Sequence, residues 1–153
     1  MRAVIQRVNQ ASVEVDQQIV GKIQKGVVIL LAVTHEDNEE DAVYLSQKIS
    51  NLRIFEDRDG KMNLSLKEIK GEALAISQFT LYANTRKGRR PSFIEAALPD
   101  KANSLYEYFI KCLKEQDIHV SQGVFGAMMS VQIVNYGPVT IILNSEDRFK
   151  SRN

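Results

Sequence analysis

The pattern of apolar residues in the first third of the chain constrains the fold most, because it predicts a run of short strands. Residues 12–16 alternate polar and apolar side chains, which is the period of a half-buried strand. Connections of hairpin length join the predicted segments, so we expect them to pair in antiparallel fashion. The predicted strands cover residues 4–8, 12–16, 19–23 and 26–34.

Two amphipathic helices are predicted farther along the chain. Asp37-Asn38 offers an N-cap, and apolar residues follow at helical spacing from Ala42 to Leu52. A second helix is predicted from Pro99 to about Gln116. Further strands are predicted at residues 53–56, 72–82, 118–121, 130–134 and 139–144.

The order of strands, helix, strands, helix and strands predicts an α+β fold. We expect residues 1–153 to form a single domain with a largely antiparallel, barrel-like sheet and two main helices. The segment from Ser145 onward is polar, and we expect it to be frayed.

Composition excludes several classes of protein. The lone Cys112 excludes an internal disulfide, fits a reducing cytoplasm and is predicted to be a small core residue. The longest apolar run, Val27–Val33, is too short to span a bilayer, and no signal peptide is recognised, so we expect a cytoplasmic location without membrane contact. The net charge of +1 does not by itself indicate a nucleic-acid-binding protein.

Common catalytic motifs are missing from the sequence. His35 and His119 lie on separate segments, and we interpret them as a turn residue and a surface residue. No zinc-binding, Walker or dinucleotide motif is found, so we expect no metal site and no cofactor.

Three short segments carry more information than the rest. In Ser77–Ala83, an apolar strand runs into small polar side chains, which either satisfy nearby backbone groups or line a pocket. In Asn135–Thr140, Gly137-Pro138 interrupts a β-rich stretch, because proline has no N–H for the sheet ladder. In Gly123–Met129, Phe125 is followed by two small residues.

In order, these segments resemble the SQFTLxA, GxFGAxM and NxGPVT signatures of the D-aminoacyl-tRNA deacylases, and the likeness covers essentially the whole chain. The resemblance implies an enzyme that hydrolyses the ester between a tRNA and a wrongly attached D-amino acid, without metal or cofactor. It also implies a homodimer with its active sites at the subunit interface.

The resemblance assigns the catalytic site to four residues. Ser77, Gln78, Phe79 and Thr80 edge a pocket where backbone N–H groups and a hydroxyl hold the ester carbonyl as it becomes an oxyanion. Either Thr80 is a nucleophile, or the vicinal 2′-hydroxyl of the terminal adenosine of the tRNA assists the chemistry. We favour the second hypothesis, because the sequence offers no obvious base beside Thr80.

For Gly137-Pro138, the resemblance implies a cis peptide whose carbonyl oxygens reach into the active site of the partner subunit. Such a rim would exclude L-amino acids without contacting the side chain, so glycyl-tRNA is a further expected substrate. Arg7 matches the position that orients this segment, although an arginine there is also compatible with a surface residue.

The resemblance also implies contacts with the tRNA acceptor end. Phe125 matches a position that stacks on adenine, with an ordinary core aromatic as the alternative. Met128 and Met129 are predicted to be core residues. A basic loop is predicted to contact phosphates, with a plain solvated loop as the alternative; its cations are Arg86, Lys87, Arg89 and Arg90.

Two other interpretations remain open. One is a module that binds tRNA ends without chemistry. The other is an unrelated small esterase that uses Thr80 as its nucleophile.

Overall fold

The computed structural model describes residues 1–150, in which two α-helices pack beside a six-stranded sheet. The helices are α1 (Glu39–Asn51) and α2 (Pro99–Lys114), and 3₁₀ turns cover Phe79–Tyr82 and Ser145–Phe149. The strands are β1 (Arg2–Val15), β2 (Gln18–Ile23), β3 (Gly26–Ala32), β4 (Phe55–Glu56), β5 (Met62–Leu64), β6 (Glu72–Ser77), β7 (His119–Gln122) and β8 (Ser130–Asn144).

The sheet is mixed, in the order β2-β1-β3-β6-β7, with β8 on the other side of β1. The pairs of β1 with β2, β3 and β8 are antiparallel. The pairs β3–β6 and β6–β7 are parallel. Parallel strands need a long crossover connection, and α1 lies in the first crossover and α2 in the second. The Ser121 hydroxyl donates to the carbonyl oxygen of Lys22 at 3.0 Å, so β7 approaches β2 and nearly closes a barrel. The predicted α+β fold is confirmed.

Strand β1 is the centre of the sheet. Over residues 2–8 it pairs with β3 on one edge, and over residues 11–15 it pairs with β2. Its other edge pairs with β8 along nearly its whole length. Most residues of β1 are therefore held in register from both edges, apart from a short stretch around Asn9.

The capping signal of α1 works as the sequence predicts. The side chain of Asn38 accepts from the backbone N–H of Glu40, and the Asp41 carboxylate accepts from the backbone N–H of Asn38, each at 2.9 Å. Caps of this kind stabilise a helix by about 1 kcal/mol. Burial raises the pKa of Asp41, but the Asn38 N–H, Ser145, the amino terminus and Arg148 outweigh it and lower that pKa.

Both faces of the sheet are covered by apolar side chains. One core lies between the sheet and the helices and includes Leu45, Ile49 and Phe109. The other lies on the opposite face and includes Val13 and Leu74. Cys112 is buried, as the sequence predicts.

Three predictions of strand boundaries are wrong. The strands predicted at 4–8 and 12–16 form the single strand β1, because β8 pairs with it from Arg2 to Glu14. The strand predicted over residues 72–82 ends at Ser77, because its partner β3 ends there and the backbone N–H of Gln78 makes the last contact, to Leu31. The two strands predicted at 130–134 and 139–144 form the single strand β8. The Gly-Pro segment leaves the ladder only locally, as described below.

The predicted fraying from Ser145 is also wrong within the described residues. Ser145 is fully buried, and its backbone N–H donates to the Met1 carbonyl oxygen at 2.9 Å. Arg148 lies 3.4 Å from the Asp41 carboxylate, so the segment packs on the start of α1. The part of the predicted tail at residues 151–153 lies outside the described residues.

The prediction of a core position is wrong for Met128, which is 91% exposed, whereas Met129 packs against the smaller core. Among residues 1–150, we find no helix with the length and apolar character needed to cross a membrane.

Candidate active site

The predicted catalytic residues lie where β6 leaves the sheet. Ser77 ends the strand, and Phe79–Tyr82 forms a single 3₁₀ turn that includes Thr80. Ser77 and Gln78 are half-buried, whereas Phe79 and Thr80 are exposed. The segment is therefore anchored at Ser77 by β6, and its other end, at Thr80, is accessible to solvent.

The hydrogen bonds of this turn leave donors unused. The Gln78 side-chain amide donates to Thr80 Oγ1 at 2.6 Å. The backbone N–H groups of Leu81 and Ala83 donate to Gln78 and Thr80, whereas those of Phe79 and Thr80 have no acceptor in the described part of the chain. Two backbone donors and one hydroxyl are thus available at the surface of one turn.

Arg2, which the sequence analysis did not single out, contacts the turn Phe79–Tyr82. Arg2 Nη1 donates to the Leu81 carbonyl oxygen, and Arg2 Nε donates to Asn144 Oδ1, both at 2.9 Å. The guanidinium also lies 5.0 Å from the centre of the Tyr82 ring. Burial, followed by the charge of Asp37, raises the pKa of the Tyr82 hydroxyl well above its ordinary value, so it stays protonated at neutral pH.

The loop that carries Phe125 is attached to the same strand. The backbone N–H of Gly123 donates to the Ala75 carbonyl oxygen at 3.1 Å, and the Tyr106 hydroxyl donates to the same oxygen at 2.8 Å. Phe125 is half-buried, and its ring centre lies 6.2 Å from that of Tyr106. The loop and the end of β6 are therefore neighbours, and Tyr106 is a second residue that the sequence analysis missed.

The Gly-Pro segment forms a bulge in β8. Gln6 pairs with Thr140 and Val8 pairs with Asn135, so residues 136–139 lie opposite the single residue Arg7. The peptide bond between Gly137 and Pro138 is cis, and both residues are exposed. Among residues 1–150, no hydrogen bond joins this bulge to the turn Phe79–Tyr82.

Arg7 holds the bulge from inside the protein. Its side chain is 5% exposed; Nε donates to the Tyr136 carbonyl oxygen at 3.0 Å, and Nη1 donates to the Ile54 carbonyl oxygen at 2.8 Å. Glu56 lies 4.0 Å from the guanidinium. The arginine is thus almost entirely buried, and its donors fix the direction of a backbone carbonyl.

Gly137 leaves room for this arginine. A Cβ atom at this position would lie 2.9 Å from Arg7 Nη2 and 2.9 Å from Val139 Cγ2. The glycine also has φ of 130°, a conformation that other residues rarely adopt. Arginine and bulge therefore fit together only while residue 137 has no side chain.

The basic loop lies directly after the turn. A bridge between Asn84 and Ser92 closes the loop, and the predicted phosphate-binding cations are all exposed; they are Arg86, Lys87, Arg89 and Arg90. No group of three His, Cys, Asp or Glu side chains close enough to hold a metal ion occurs among the described residues.

Comparisons with known proteins agree over nearly the whole chain. The family model described as D-Tyr-tRNA(Tyr) deacylase matches residues 4–144. A D-aminoacyl-tRNA deacylase of Bacillus pumilus is 58% identical over 96% of this chain and 100% of its own. One of Thermus aquaticus is 56% identical, covering 97% of each chain.

Solved structures with the same fold are also found. One, titled c-Myc DNA Unwinding Element Binding Protein, has a TM-score of 0.88 and 38% identity, and covers 94% of this chain and 98% of its own. Another, titled as a probable eukaryotic D-amino acid tRNA deacylase, has a TM-score of 0.82 at 18% identity, with the same coverage of both chains.

Proposed function

The chain belongs to the D-Tyr-tRNA(Tyr) deacylase family and is a D-aminoacyl-tRNA deacylase, and we propose how its residues hydrolyse the ester and select its handedness. The substrate is a tRNA acceptor end that carries a D-amino acid or glycine. We place the reaction in the cytoplasm, where we expect the substrate.

Thr80 acts as a hydrogen-bond donor and not as a nucleophile. A threonine nucleophile needs a neighbouring base to take its proton. The only side chain bonded to Thr80 Oγ1 among the described residues is the amide of Gln78, and an amide is not a base at neutral pH whichever way it is oriented. This observation carries the mechanism.

The turn stabilises the oxyanion instead. The free N–H groups of Phe79 and Thr80 and the Thr80 hydroxyl lie on one exposed turn, beside the half-buried Ser77. When the ester carbonyl becomes tetrahedral, preorganised donors of this kind each lower the barrier by about 3–4 kcal/mol. The vicinal 2′-hydroxyl of the terminal adenosine assists the attack, so the protein needs no base.

The bulge at residues 136–139 discriminates between D- and L-aminoacyl esters. Gly137 and Pro138 are exposed in one protomer, so their carbonyl oxygens are free to reach the active site of a partner subunit. Arg7 fixes the segment through the neighbouring Tyr136 carbonyl oxygen, so that the oxygens of Gly137 and Pro138 bind the substrate amino group and leave no space for a group on the L side of Cα. Glycine has no such group and is hydrolysed. Phe125 stacks on the terminal adenine, and the loop of residues 84–92 contacts phosphates.

The mechanism is tested with Thr80→Ala and with a tRNA that ends in 2′-deoxyadenosine. We expect Thr80→Ala to lower kcat by about 10²-fold on D-tyrosyl-tRNA. We expect the 2′-deoxy substrate to be cleaved more slowly still by the unchanged protein. Ser104→Ala, which removes an exposed hydroxyl on α2 outside the candidate site, is the control and leaves kcat unchanged.

Other outcomes identify the alternatives. An inactive Thr80→Ala variant together with normal cleavage of the 2′-deoxy ester would make Thr80 the nucleophile of a simple esterase. Protection of the ester by the unchanged protein would make it a module that only binds tRNA ends. Cleavage of D-tyrosyl-tRNA and glycyl-tRNA, with L-tyrosyl-tRNA left intact, is the expected selectivity.

A further inference from the structure

A groove of about 860 Å³ lies between the outer face of α1, the end of β8 and the final 3₁₀ turn. Tyr44, Lys48 and Asn51 lie on one face of α1 at intervals of four and three residues and form one wall. Asn144 and Lys150 lie in the segment that forms the other wall. Neither the family signatures nor the proposed mechanism uses this groove.

The groove carries an excess of positive charge. Its lining includes the cations Lys48, Arg53, Arg148 and Lys150, and only one carboxylate, Asp147. Lys150 pairs with Asp147 at 2.6 Å, and Arg148 lies 3.4 Å from Asp41 and 3.6 Å from Glu40. Lys48 and Arg53 have no carboxylate within ion-pair distance among residues 1–150. Arg53 donates to Asn63 through Nε and Nη2, so it keeps its Nη1 donors and its charge for an anion, whereas the Lys48 ammonium has no bonded partner among residues 1–150.

A second groove on the surface shows that this charge is not a general property of the helices. It has a volume of about 460 Å³ and lies along α2. Its lining contains Lys111 and Lys114, but also Glu107 and Glu115, so the charges cancel.

The groove on α1 is connected to the candidate active site through one side chain. Asn144, in its wall, accepts from Arg2 Nε at 2.9 Å, and Arg2 Nη1 donates to the carbonyl oxygen of Leu81. Leu81 follows Thr80 directly. Only the Arg2 side chain therefore separates the turn from the groove wall, so a nucleic acid whose 3′ end lies at the turn would reach the groove.

We propose that this groove binds the sugar–phosphate backbone of the RNA stem whose 3′ end occupies the candidate active site, an inference that rests on the proposed function. Lys48 and Arg53 bind phosphates. The Asn144 amide nitrogen and the Tyr44 hydroxyl are suited to donate to phosphate oxygens. Asn51 Oδ1 is suited to accept from a 2′-hydroxyl group, because its Nδ2 already donates to Gln47 and Ser50. These contacts carry no sequence information, so they serve tRNAs of any sequence.

The test compares Lys48→Glu with Lys114→Glu. Both lysines are exposed and lie in the last turn of their helices, so the two substitutions alter helix electrostatics in the same way. The kcat/KM value is measured on D-tyrosyl-tRNA and on the D-tyrosyl ester of adenosine, at several KCl concentrations. Lys48→Gln, which removes the charge without reversing it, is the milder second variant.

We expect Lys48→Glu to lower kcat/KM on D-tyrosyl-tRNA about tenfold and to reduce the salt slope by about 1, as for the loss of one phosphate contact. The short ester, which does not reach the groove, is cleaved at the unchanged rate, and Lys114→Glu changes neither value. Lys48→Gln gives a smaller loss in the same direction. Equal effects of the two Glu variants, or no effect of Lys48→Glu on the tRNA, would overturn the proposal.

Failure of the proposed function has a different signature. In that case the unchanged protein cleaves neither substrate. The affinity of each variant for tRNA that carries no amino acid is then measured instead of kcat/KM. Weaker binding by Lys48→Glu than by Lys114→Glu then still supports the groove, and equal binding rejects it.

Discussion

The turn Phe79–Tyr82 and the bulge at residues 136–139 are held by two arginines of the same strand, but in different surroundings. Arg2 and Arg7 each donate to a backbone carbonyl oxygen, of Leu81 and Tyr136, and each guanidinium lies 5.0 Å from the centre of a tyrosine ring. Arg2 is only partly buried, whereas Arg7 is 5% exposed.

The difference in burial decides how strongly each backbone carbonyl depends on its arginine. Water can replace the hydrogen bonds that Arg2 donates to Leu81 and Asn144, because they are partly exposed to solvent. Water has little access to Arg7, so the carbonyl oxygens of Tyr136 and Ile54 depend on it. The bulge is therefore held more rigidly than the turn, as expected if the bulge must reject a substrate by shape and the turn need only supply donors.

The largest effect is expected for Arg7→Ala. Loss of the buried guanidinium leaves two carbonyl oxygens without their donor, which we expect to lower the free energy of unfolding by about 3 kcal/mol. Urea denaturation measures this loss. The selectivity for D-tyrosyl-tRNA over L-tyrosyl-tRNA should fall about tenfold.

Arg7→Lys keeps the charge but not the geometry of two donors, and serves as the variant that folds more readily. An unchanged ratio of D- to L-cleavage in this variant would remove Arg7 from the selection of handedness.

An intermediate effect is expected for Gly137→Ala. The new Cβ would lie 2.9 Å from Arg7 Nη2 on a backbone with positive φ, so the bulge and the arginine must separate. We expect a loss of about 2 kcal/mol on unfolding and a weaker rejection of L-tyrosyl-tRNA. Gly60→Ala is the control, because Gly60 also has positive φ but a Cβ there meets nothing within 4 Å. Equal losses in the two variants would mean that backbone strain alone is responsible.

The smallest effect on stability is expected for Arg2→Ala. Its hydrogen bonds are partly exposed, so the free energy of unfolding should fall by about 1 kcal/mol. The turn loses its brace, so kcat on D-tyrosyl-tRNA should fall while the selectivity for D over L is unchanged. Arg58→Ala, in an exposed turn, is the matched control. A change in selectivity with Arg2→Ala would contradict the division of labour between the two arginines.

Local patterns predict much of this fold. Asn38 marks the start of α1, and alternating residues mark the second half of β1, because caps and strand faces depend on near neighbours in sequence. The end of β6 at Ser77 could not be predicted, because it depends on where the partner strand β3 ends. The packing of Ser145 depends on Met1, from the other end of the chain.

The site shows the same division. Motifs single out Ser77–Thr80 and Gly137-Pro138 as candidate site residues. The contact of Arg2 with Leu81 could not be predicted, because it depends on which carbonyl lies opposite Arg2. For Arg7 a signal was available: Ala3, Ile5 and Arg7 share the buried face of β1, so the sequence places a charge at an inward position. An arginine at an inward position predicts a buried hydrogen-bond acceptor or carboxylate beside it, but the sequence does not show which residue supplies it.

The central place of β1 also has a consequence for biosynthesis. The ribosome makes β1 more than a hundred residues before β8, yet the two strands pair along most of their length. Until β8 emerges, Arg7 has no Tyr136 carbonyl and Arg2 has no Asn144 to bind. The sheet around β1 therefore stays incomplete until β8 has been made, because pairing between such distant segments is what completes it.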